Sequence, residues 1–237
     1  MIRITEIYDS IEGEGIEIGT PSTFIRFAGC PLKCRTCDTK YSWNRGEKHT
    51  IPEIISKVTQ KRVVITGGEP LYQSRELSRL LSRLLNNYVV LETSGVYYDE
   101  EIFSKVDFIS ADLKTPSSGL SPDLLERNLK VLHKICSWSK NVQVKAVCSD
   151  KIDLKYVTEC FKELSFYGKP LVITPCWEKR FNKRFVQKIV KTVLENRINC
   201  RIIVQQHKLI FGLNKTECTE RTNPPEYIIL GEDDSLI

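Results

Sequence analysis

The sequence lacks any long apolar segment. No apolar run in its 237 residues exceeds about five residues, whereas a helix that crosses a membrane needs roughly 20. Residues 1–8 contain no basic segment followed by an apolar one, so we expect no secretory signal. Internal repeats and low-complexity linkers are also absent from the sequence. We therefore expect a cytoplasmic protein with no membrane partner.

The even, regularly spaced cysteines of a secreted disulfide framework are missing as well. Nine cysteines is an odd number, and only three of them are clustered. This pattern argues against structural disulfides and favours a reducing cytoplasm. The scattered cysteines are expected to fill the core.

No nucleic-acid-binding module is recognisable. The net charge is +5, and the densest basic stretch lies within residues 179–191. Apolar residues recur there at helical spacing, which favours the solvated face of an amphipathic helix over a basic binding stripe. We therefore expect no nucleic acid as a partner, and the mild positive charge is compatible with a small anionic ligand.

Three clustered cysteines form the most informative motif of the chain. Cys30, Cys34 and Cys37 have C-x3-C-x2-C spacing, and thiolates are soft ligands that suit iron–sulfur clusters and zinc. No fourth cysteine follows at short spacing, since the next is Cys136. Three ligands leave one iron of a four-iron cluster open, whereas structural zinc usually takes a fourth protein ligand. His49 could supply that ligand, so a zinc or iron–sulfur carrier without catalysis stays open at this point.

Strands and helices alternate along the rest of the chain. Apolar strands are predicted at 22–28, 62–66, 88–92, 108–111, 141–147, 171–174 and 201–205, and helices at 73–87, 121–136, 153–164 and 181–196. This order implies parallel βα units with helices packed outside the strands. Six or seven strands are too few for a closed eight-stranded barrel. We therefore predict an α/β fold, an open, partial parallel βα barrel of about six strands over residues 1–212, followed by a polar C-terminal tail, 213–237.

Polar residues follow almost every predicted strand. In parallel α/β folds, the carboxyl ends of the strands carry the chemistry. Gly67 and Gly68 follow the second strand and permit a close approach between a ligand and the backbone. The other residues placed at strand ends are Thr66, Glu69, Ser94, Asp112, Lys114, Lys145 and Thr174. The sequence predicts that these residues converge on the edge that carries the cysteine loop.

The cysteine loop and the Gly67-Gly68-Glu69-Pro70 turn together resemble the radical S-adenosylmethionine superfamily. The resemblance implies that Cys30, Cys34 and Cys37 hold a [4Fe–4S] cluster whose open iron binds S-adenosylmethionine. It also implies reductive cleavage of this cofactor to a 5′-deoxyadenosyl radical. An external electron donor of the flavodoxin or ferredoxin type would supply the electron.

A narrower resemblance rests on residues 6–15, 19, 23–30, 37–39 and 43, with 116–119 and 206–207 in support. These segments are similar to the 7-carboxy-7-deazaguanine synthase family. The resemblance implies a radical carbon–nitrogen lyase that converts 6-carboxy-5,6,7,8-tetrahydropterin to 7-carboxy-7-deazaguanine with loss of ammonia. Hydrogen abstraction from C6 and ring contraction would precede that loss. It further implies a homodimer that serves the queuosine or archaeosine branch of 7-deazapurine synthesis and handles the free base precursor.

The same resemblance implies a role for individual residues. Arg26 would clamp the pterin carboxylate, although a plain surface ion pair is the alternative for this residue. The expected substrate-binding residues are Ile11, Glu12, Gly13, Glu14, Arg26 and Thr66, and the expected cofactor-binding residues are Asp38, Gly67, Gly68, Glu69, Ser94, Asp112, Lys114 and Thr174. Thr39 matches a position whose hydroxyl would ligate Mg²⁺.

The chain departs from the family pattern at three places. Glu12 stands where many relatives have Gln, and Asp112-Leu-Lys114 replaces Ser-Pro-Lys. Twenty-five residues also follow Gly212, whereas some relatives place a terminal carboxylate near the substrate. An activating enzyme for a glycyl-radical protein, which would share the cysteine loop, remains the alternative. The acidic segment 11–15 and Arg26 favour the small pterin.

Overall fold

A computed structural model describes residues 1–139, 141–177 and 182–211. The predicted tail, 213–237, and its boundary at residue 212 lie outside the described residues, as do Lys179 and Arg180. No helix in the described part is long and apolar enough to span a bilayer. Its strands form one nine-stranded sheet, which is parallel over most of its width.

The strands are β1 Ile2–Ile11, β2 Pro21–Phe27, β3 Glu47–His49, β4 Arg62–Gly67, β5 Tyr88–Thr93, β6 Phe108–Asp112, β7 Val142–Cys148, β8 Leu171–Pro175 and β9 Arg201–Ile202. The helices are α1 Ile51–Ile55, α2 Ser74–Leu81, α3 Glu100–Phe103, α4 Pro122–Trp138, α5 Lys151–Leu164, α6 Lys183–Glu195 and α7 Gln206–Phe211. The strand order is β3-β1-β2-β4-β5-β6-β7-β8-β9.

The predicted open parallel sheet is confirmed, and two further strands, β1 and β3, add to it through antiparallel pairing. β1 runs antiparallel to both β2 and β3, while β2 and β4 to β9 are parallel. β1 was not predicted from the sequence. Its pairing register with β2 shifts between Ile4 and Glu6, and such an irregularity breaks the alternation of apolar and polar residues. The last strand was predicted too long, since β9 ends at Ile202.

Helix starts follow local capping. Asp150 accepts hydrogen bonds from the backbone N–H groups of Ile152 and Asp153, so α5 begins two residues before the predicted start. Ser121 caps α4 in the same way, with Pro122 at the first helical position. In α6 the buried residues are Ile189 and Val193, which agrees with the predicted amphipathic helix.

The two faces of the sheet differ in chemistry. Ile25, Ile65 and Leu91 share one face and join the main apolar core. On the opposite face, Phe24 and Val64 belong to a small apolar layer. Beyond that layer, toward the carboxyl ends of the strands, this face is polar: its register positions include Arg26, Thr66, Glu92, Ser110, Gln143, Asp112 and Lys145. We call it the polar face.

Residues 12–20, which connect β1 to β2 and which we call the hairpin loop, reach the far side of the polar face. The backbone N–H of Ile16 donates to Oε1 of Gln143 on β7 at 2.8 Å. The N–H of Gln206 at the start of α7 donates to the carbonyl of Gly13 at 2.9 Å. The loop therefore connects the β1–β2 side of the open sheet to its opposite side.

The glycine pair after β4 brings two backbone segments together. The N–H of Gly68 donates to the carbonyl of Phe27, and the N–H of Glu69 donates to the carbonyl of Gly29, both at 2.9 Å. A Cβ on Gly67 or on Gly68 would lie 2.2 Å from one of these carbonyl oxygens. The segment that enters the cysteine loop is thus held directly against the end of β4.

Replacing Gly67 by alanine tests this close approach. Its φ of +140° disfavours an L side chain, and the new Cβ would meet fixed backbone atoms of Phe27. We expect Gly67→Ala to lower the free energy of unfolding by about 4 kcal/mol or more, measured by anaerobic urea unfolding.

Gly168→Ala is the matched control. Gly168 also has a positive φ, +63°, but nothing lies within 4 Å of its Cβ position. Its substitution should cost only about 1 to 2 kcal/mol, the usual cost of the left-handed conformation. Equal losses in the two variants would contradict the close-approach argument.

Candidate active site

A cavity of about 620 Å³ lies over the polar face. Strand ends and the hairpin loop supply most of its walls, and the cysteine loop supplies another. The sequence-predicted site residues that line it are Ile11, Glu12, Gly13, Glu14, Arg26, Cys30, Cys34, Cys37, Asp38, Thr39, Thr66, Gly67, Gly68, Ser94, Asp112 and Lys114. All predicted site residues except Glu69 and Thr174 are therefore brought to one place.

The three thiols of the cysteine loop face this cavity. Backbone contacts hold the loop: the N–H of Arg35 donates to the carbonyl of Ser118 at 2.7 Å, and the N–H of Cys37 donates to that of Cys34 at 3.2 Å. Burial raises the pKa of Cys30, while N–H groups of Leu32 and Lys33 that point at its sulfur oppose that rise.

The donor set fits a cluster with one open iron. None of the eight cysteines in the described part forms a disulfide. His49, the candidate fourth zinc ligand, lies on β3 opposite Ile2 and does not line the cavity. Three soft ligands that face a cavity therefore suit an iron–sulfur cluster better than a closed Cys3His zinc site.

Glu69 and Thr174 do not line the cavity, and their contact with the cofactor stays a prediction. The Glu69 carboxylate is fully buried and accepts hydrogen bonds from the N–H of Leu71, the N–H of Ser94 and the hydroxyl of Thr93. It therefore ties the turn after β4 to the end of β5. Thr174 is buried on β8, and its hydroxyl has no hydrogen-bond partner among the described residues.

Arg26 projects into the cavity from β2 and is held on one side. Its Nε donates to Oε1 of Glu6 at 2.6 Å, and its Nη2 donates to the hydroxyl of Tyr8 at 2.7 Å. The hydroxyl of Tyr41 donates to the same Glu6 oxygen at 2.8 Å. Burial raises the pKa of Tyr8 to about 12, so this phenol stays protonated. The Nη1 group makes no hydrogen bond within the described residues, which leaves it for a ligand.

Lys145, which the sequence places at a strand end without assigning it a role, is the centre of a second charged cluster. Its ammonium pairs with Glu14 of the hairpin loop and lies 3.7 Å from Asp112 and 4.0 Å from Glu92. Although burial opposes the charged forms, this pairing lowers the pKa of Glu14 and raises that of Lys145 well above its ordinary value. The signal available in the sequence was a single lysine in β7, a strand with no other charged residue. Because side chains alternate between the two faces along a strand, this lysine lies on the polar face.

Each cation of the cavity wall has a carboxylate partner. The four pairs are Arg26–Glu6, Lys114–Asp112, Lys145–Glu14 and Lys208–Asp38. Lys208 belongs to α7 and was also missed, since nothing in the sequence relates it to the cysteine loop. Two lining carboxylates remain outside these pairs, Glu12 and Glu92.

Glu12 is a neutral acid in this environment. It is buried, and its Oε1 accepts a hydrogen bond from the N–H of Gly13 at 3.0 Å. Burial is the main cause that raises the pKa of Glu12, to about 8, with Glu92 adding to it and Lys145 opposing it. A protonated carboxyl both donates and accepts hydrogen bonds, as a glutamine amide does.

Apart from the three cysteines, one group of potential metal ligands lies in the described part. Glu14, Asp38 and His207 each bring a ligand atom to within 4.8 Å of the others. Both carboxylates already pair with lysines, so we assign no metal ion to this group. Thr39 lines the cavity separately, with its hydroxyl 3.5 Å from the sulfur of Cys37.

Solved structures support the fold. Escherichia coli QueE matches with a TM-score of 0.62 at 20% identity, over 87% of this chain and 94% of that one. Streptococcus suis SuiB bound to S-adenosylmethionine matches with a TM-score of 0.53 at 14% identity, over 76% of this chain and 51% of that one.

Sequence comparisons define the family. The family model described as Radical SAM superfamily matches residues 24–169. The 7-carboxy-7-deazaguanine synthase of Thermoplasma acidophilum is 32% identical, over 88% of this chain and 97% of its own length. That of Clostridium acetobutylicum is 34% identical, over 90% and 97%. With this similarity along nearly the whole of each relative, the chain belongs to the 7-carboxy-7-deazaguanine synthase family of the radical S-adenosylmethionine superfamily.

Proposed function

We propose that the protein converts 6-carboxy-5,6,7,8-tetrahydropterin to 7-carboxy-7-deazaguanine with loss of ammonia, as a radical carbon–nitrogen lyase of 7-deazapurine biosynthesis. The observation that carries this proposal is one cavity that holds the three cysteines, Arg26 and the acidic hairpin loop together. The relatives, which are named for this product, support it. They do not favour the alternative of an activating enzyme for a glycyl-radical protein.

Family membership implies a [4Fe–4S] cluster and S-adenosylmethionine as cofactors. When bound, they supply the 5′-deoxyadenosyl radical that starts the reaction. Cys30, Cys34 and Cys37 would hold the cluster. For S-adenosylmethionine we propose contacts with the lining residues Asp38, Gly67, Gly68, Ser94, Asp112 and Lys114. We further propose a cytoplasmic homodimer with an external flavodoxin- or ferredoxin-type electron donor.

Arg26 is the proposed anchor for the pterin carboxylate. Its Nε and one Nη2 hydrogen are already used by Glu6 and Tyr8, so the free Nη1 edge is what a carboxylate could meet. The two existing bonds keep the guanidinium in one orientation, which lowers the entropy cost of binding. Glu6 offsets part of the positive charge, so the anchor acts more through directed hydrogen bonds than through net charge.

The hairpin loop is the proposed partner of the pterin ring. Ile11 and Gly13 offer backbone groups at the cavity wall, and Thr66 offers a hydroxyl. Glu14 is anionic and can accept from ring N–H groups, while protonated Glu12 can both donate and accept. These groups would orient the ring before the reaction begins.

Magnesium is proposed at Thr39. Mg²⁺ keeps several waters and needs few protein ligands, so one hydroxyl beside the cavity is sufficient when a substrate carboxylate completes the site. Such an ion would orient the carboxylate and offset its charge.

Anaerobic turnover tests the function as a whole. The protein is reconstituted with iron and sulfide, reduced, and mixed with S-adenosylmethionine, Mg²⁺ and 6-carboxytetrahydropterin, and products are followed by mass. We expect 7-carboxy-7-deazaguanine, with many turnovers per cofactor. Formation of 5′-deoxyadenosine without the deazapurine would reject this substrate, and zinc in place of iron would reject the radical chemistry.

Arg26→Ala tests the carboxylate anchor. Loss of a charged donor to a buried carboxylate should weaken pterin binding by about tenfold or more. Iron content and S-adenosylmethionine affinity should stay near those of the wild type. The control is Arg75→Ala, because Arg75 is an exposed arginine of α2. Unchanged pterin affinity in Arg26→Ala would remove Arg26 from the substrate site.

Glu12→Gln tests the protonated carboxyl. Because the pKa of Glu12 is raised to about 8, wild-type pterin turnover should decline as the pH rises through that value. The glutamine variant keeps donor and acceptor at all pH values, so this decline should disappear. The exposed Glu159→Gln on α5 should retain it. A decline that persists in Glu12→Gln would assign the titration to another group.

Glu12→Gln should also change the pH dependence of the free energy of unfolding. For Glu12 this dependence runs in the opposite direction to that of a carboxylate held in an ion pair. Folded Glu12 keeps a proton that the unfolded chain releases above about pH 4.5, so the wild type loses stability as the pH rises from 4.5 toward 8. Glu12→Gln should remove this loss, seen in urea unfolding across that range.

A further inference from the structure

We propose that Lys145 is a positioning residue for the pterin, which fixes the carboxylate of Glu14 and with it the hairpin loop. This inference rests on the proposed function, because Glu14 is taken there as an acceptor for ring N–H groups. Lys145 is not among the residues proposed to bind the cluster or S-adenosylmethionine. Because its ammonium lies 3.7 Å from Asp112, a proposed cofactor contact, S-adenosylmethionine affinity measured in the same variants separates its role from theirs.

The contacts of Lys145 gather residues from separate parts of the chain. Its side chain is only 10% exposed, and its ammonium meets carboxylates from the hairpin loop, from β5 and from β6. The carboxylates are Glu14, Glu92 and Asp112. A lysine so deeply placed is stable only with such partners, because an unpaired buried charge is costly. The lysine and the loop therefore depend on each other.

Both oxygens of Glu14 are held. Lys145 donates to Oε2, and Nε2 of Gln205 donates to Oε1. Next to it, the carbonyl of Gly13 accepts from the N–H of Gln206, so the loop is fixed by β7 and by the start of α7 at once. A carboxylate held at both oxygens presents its remaining lone pairs in fixed directions, as ring recognition requires.

Charge gives Lys145 a second effect. Without it, the carboxylates of Glu14, Glu92 and Asp112 would share one wall of the cavity, with Asp38 and His207 beside Glu14 and with Lys114 and Lys208 as the remaining lining ammonium groups. Their repulsion would be relieved by proton uptake at Glu14, which would turn an acceptor into a donor. The loop would also lose its tie to β7. Both changes act on the pterin and leave the cysteines in place.

The test compares binding of the pterin to reconstituted protein by anaerobic equilibrium dialysis. The variants are Lys145→Met, Lys145→Arg, Glu14→Gln and the double variant Lys145→Met with Glu14→Gln. Lys155→Met is the control, since Lys155 is exposed on α5. If wild-type protein does not bind the pterin, the proposed function fails first, and that outcome is distinguishable from failure of this inference.

We expect Lys145→Met to weaken pterin binding by about 10- to 100-fold, with partial recovery in Lys145→Arg. In the Glu14→Gln background, Lys145→Met should add little, because its effect acts through Glu14. In the Glu12→Gln background, which lacks the titration of Glu12, binding to Lys145→Met should still depend on pH near neutrality, which a purely structural loss would not produce. Unchanged affinity, or full additivity of the two substitutions, would overturn the inference. If Lys145→Met fails to retain iron, Lys145→Gln, which keeps a donor without the charge, decides between the same outcomes.

Discussion

The pairing of Lys145 with Glu14 is the constraint on which the site depends. An open parallel sheet leaves its polar face uncovered, and the hairpin loop closes part of it by reaching from β1 to β7 and α7. A buried ammonium needs a carboxylate beside it, and this carboxylate comes from the loop. This one pair therefore contributes both to the position of the loop and to the electrostatics of the cavity.

Charge matching along the wall explains how the cavity can be ordered before a ligand arrives. Arg26 is oriented by Glu6 and Tyr8, and Asp38 is paired with Lys208 of α7. Because each cation already has a partner, a bound anion meets directed N–H groups rather than loose positive charge. Such preorganisation suits chemistry in which the cofactor supplies the reactive species and the protein supplies position.

The predictable parts of the site depend on local sequence. Cysteine spacing places three thiols on one loop. Parallel strands carry functional residues at their carboxyl ends, and this rule predicted that the candidate residues lie together, as most of them do at one cavity. The rule does not say which way a side chain points. Glu69 shows this, because its carboxylate turns to Thr93 and Ser94 and caps the end of β5. Thr174 shows it too, since the residue is buried on β8 and is not part of the cavity lining.

By itself, the sequence determined the open α/β architecture, the cysteine loop and the glycine turn, because spacing and periodicity are local properties of the chain. Only the tertiary structure decided the partners of Lys145 and Lys208 and the antiparallel start of the sheet at β1. It also decided that Glu12 is held as a neutral acid. These features depend on contacts between residues as many as 170 positions apart. Burial, and charge pairing between residues so far apart in sequence, arise only when the chain folds. No local sequence pattern therefore predicts them.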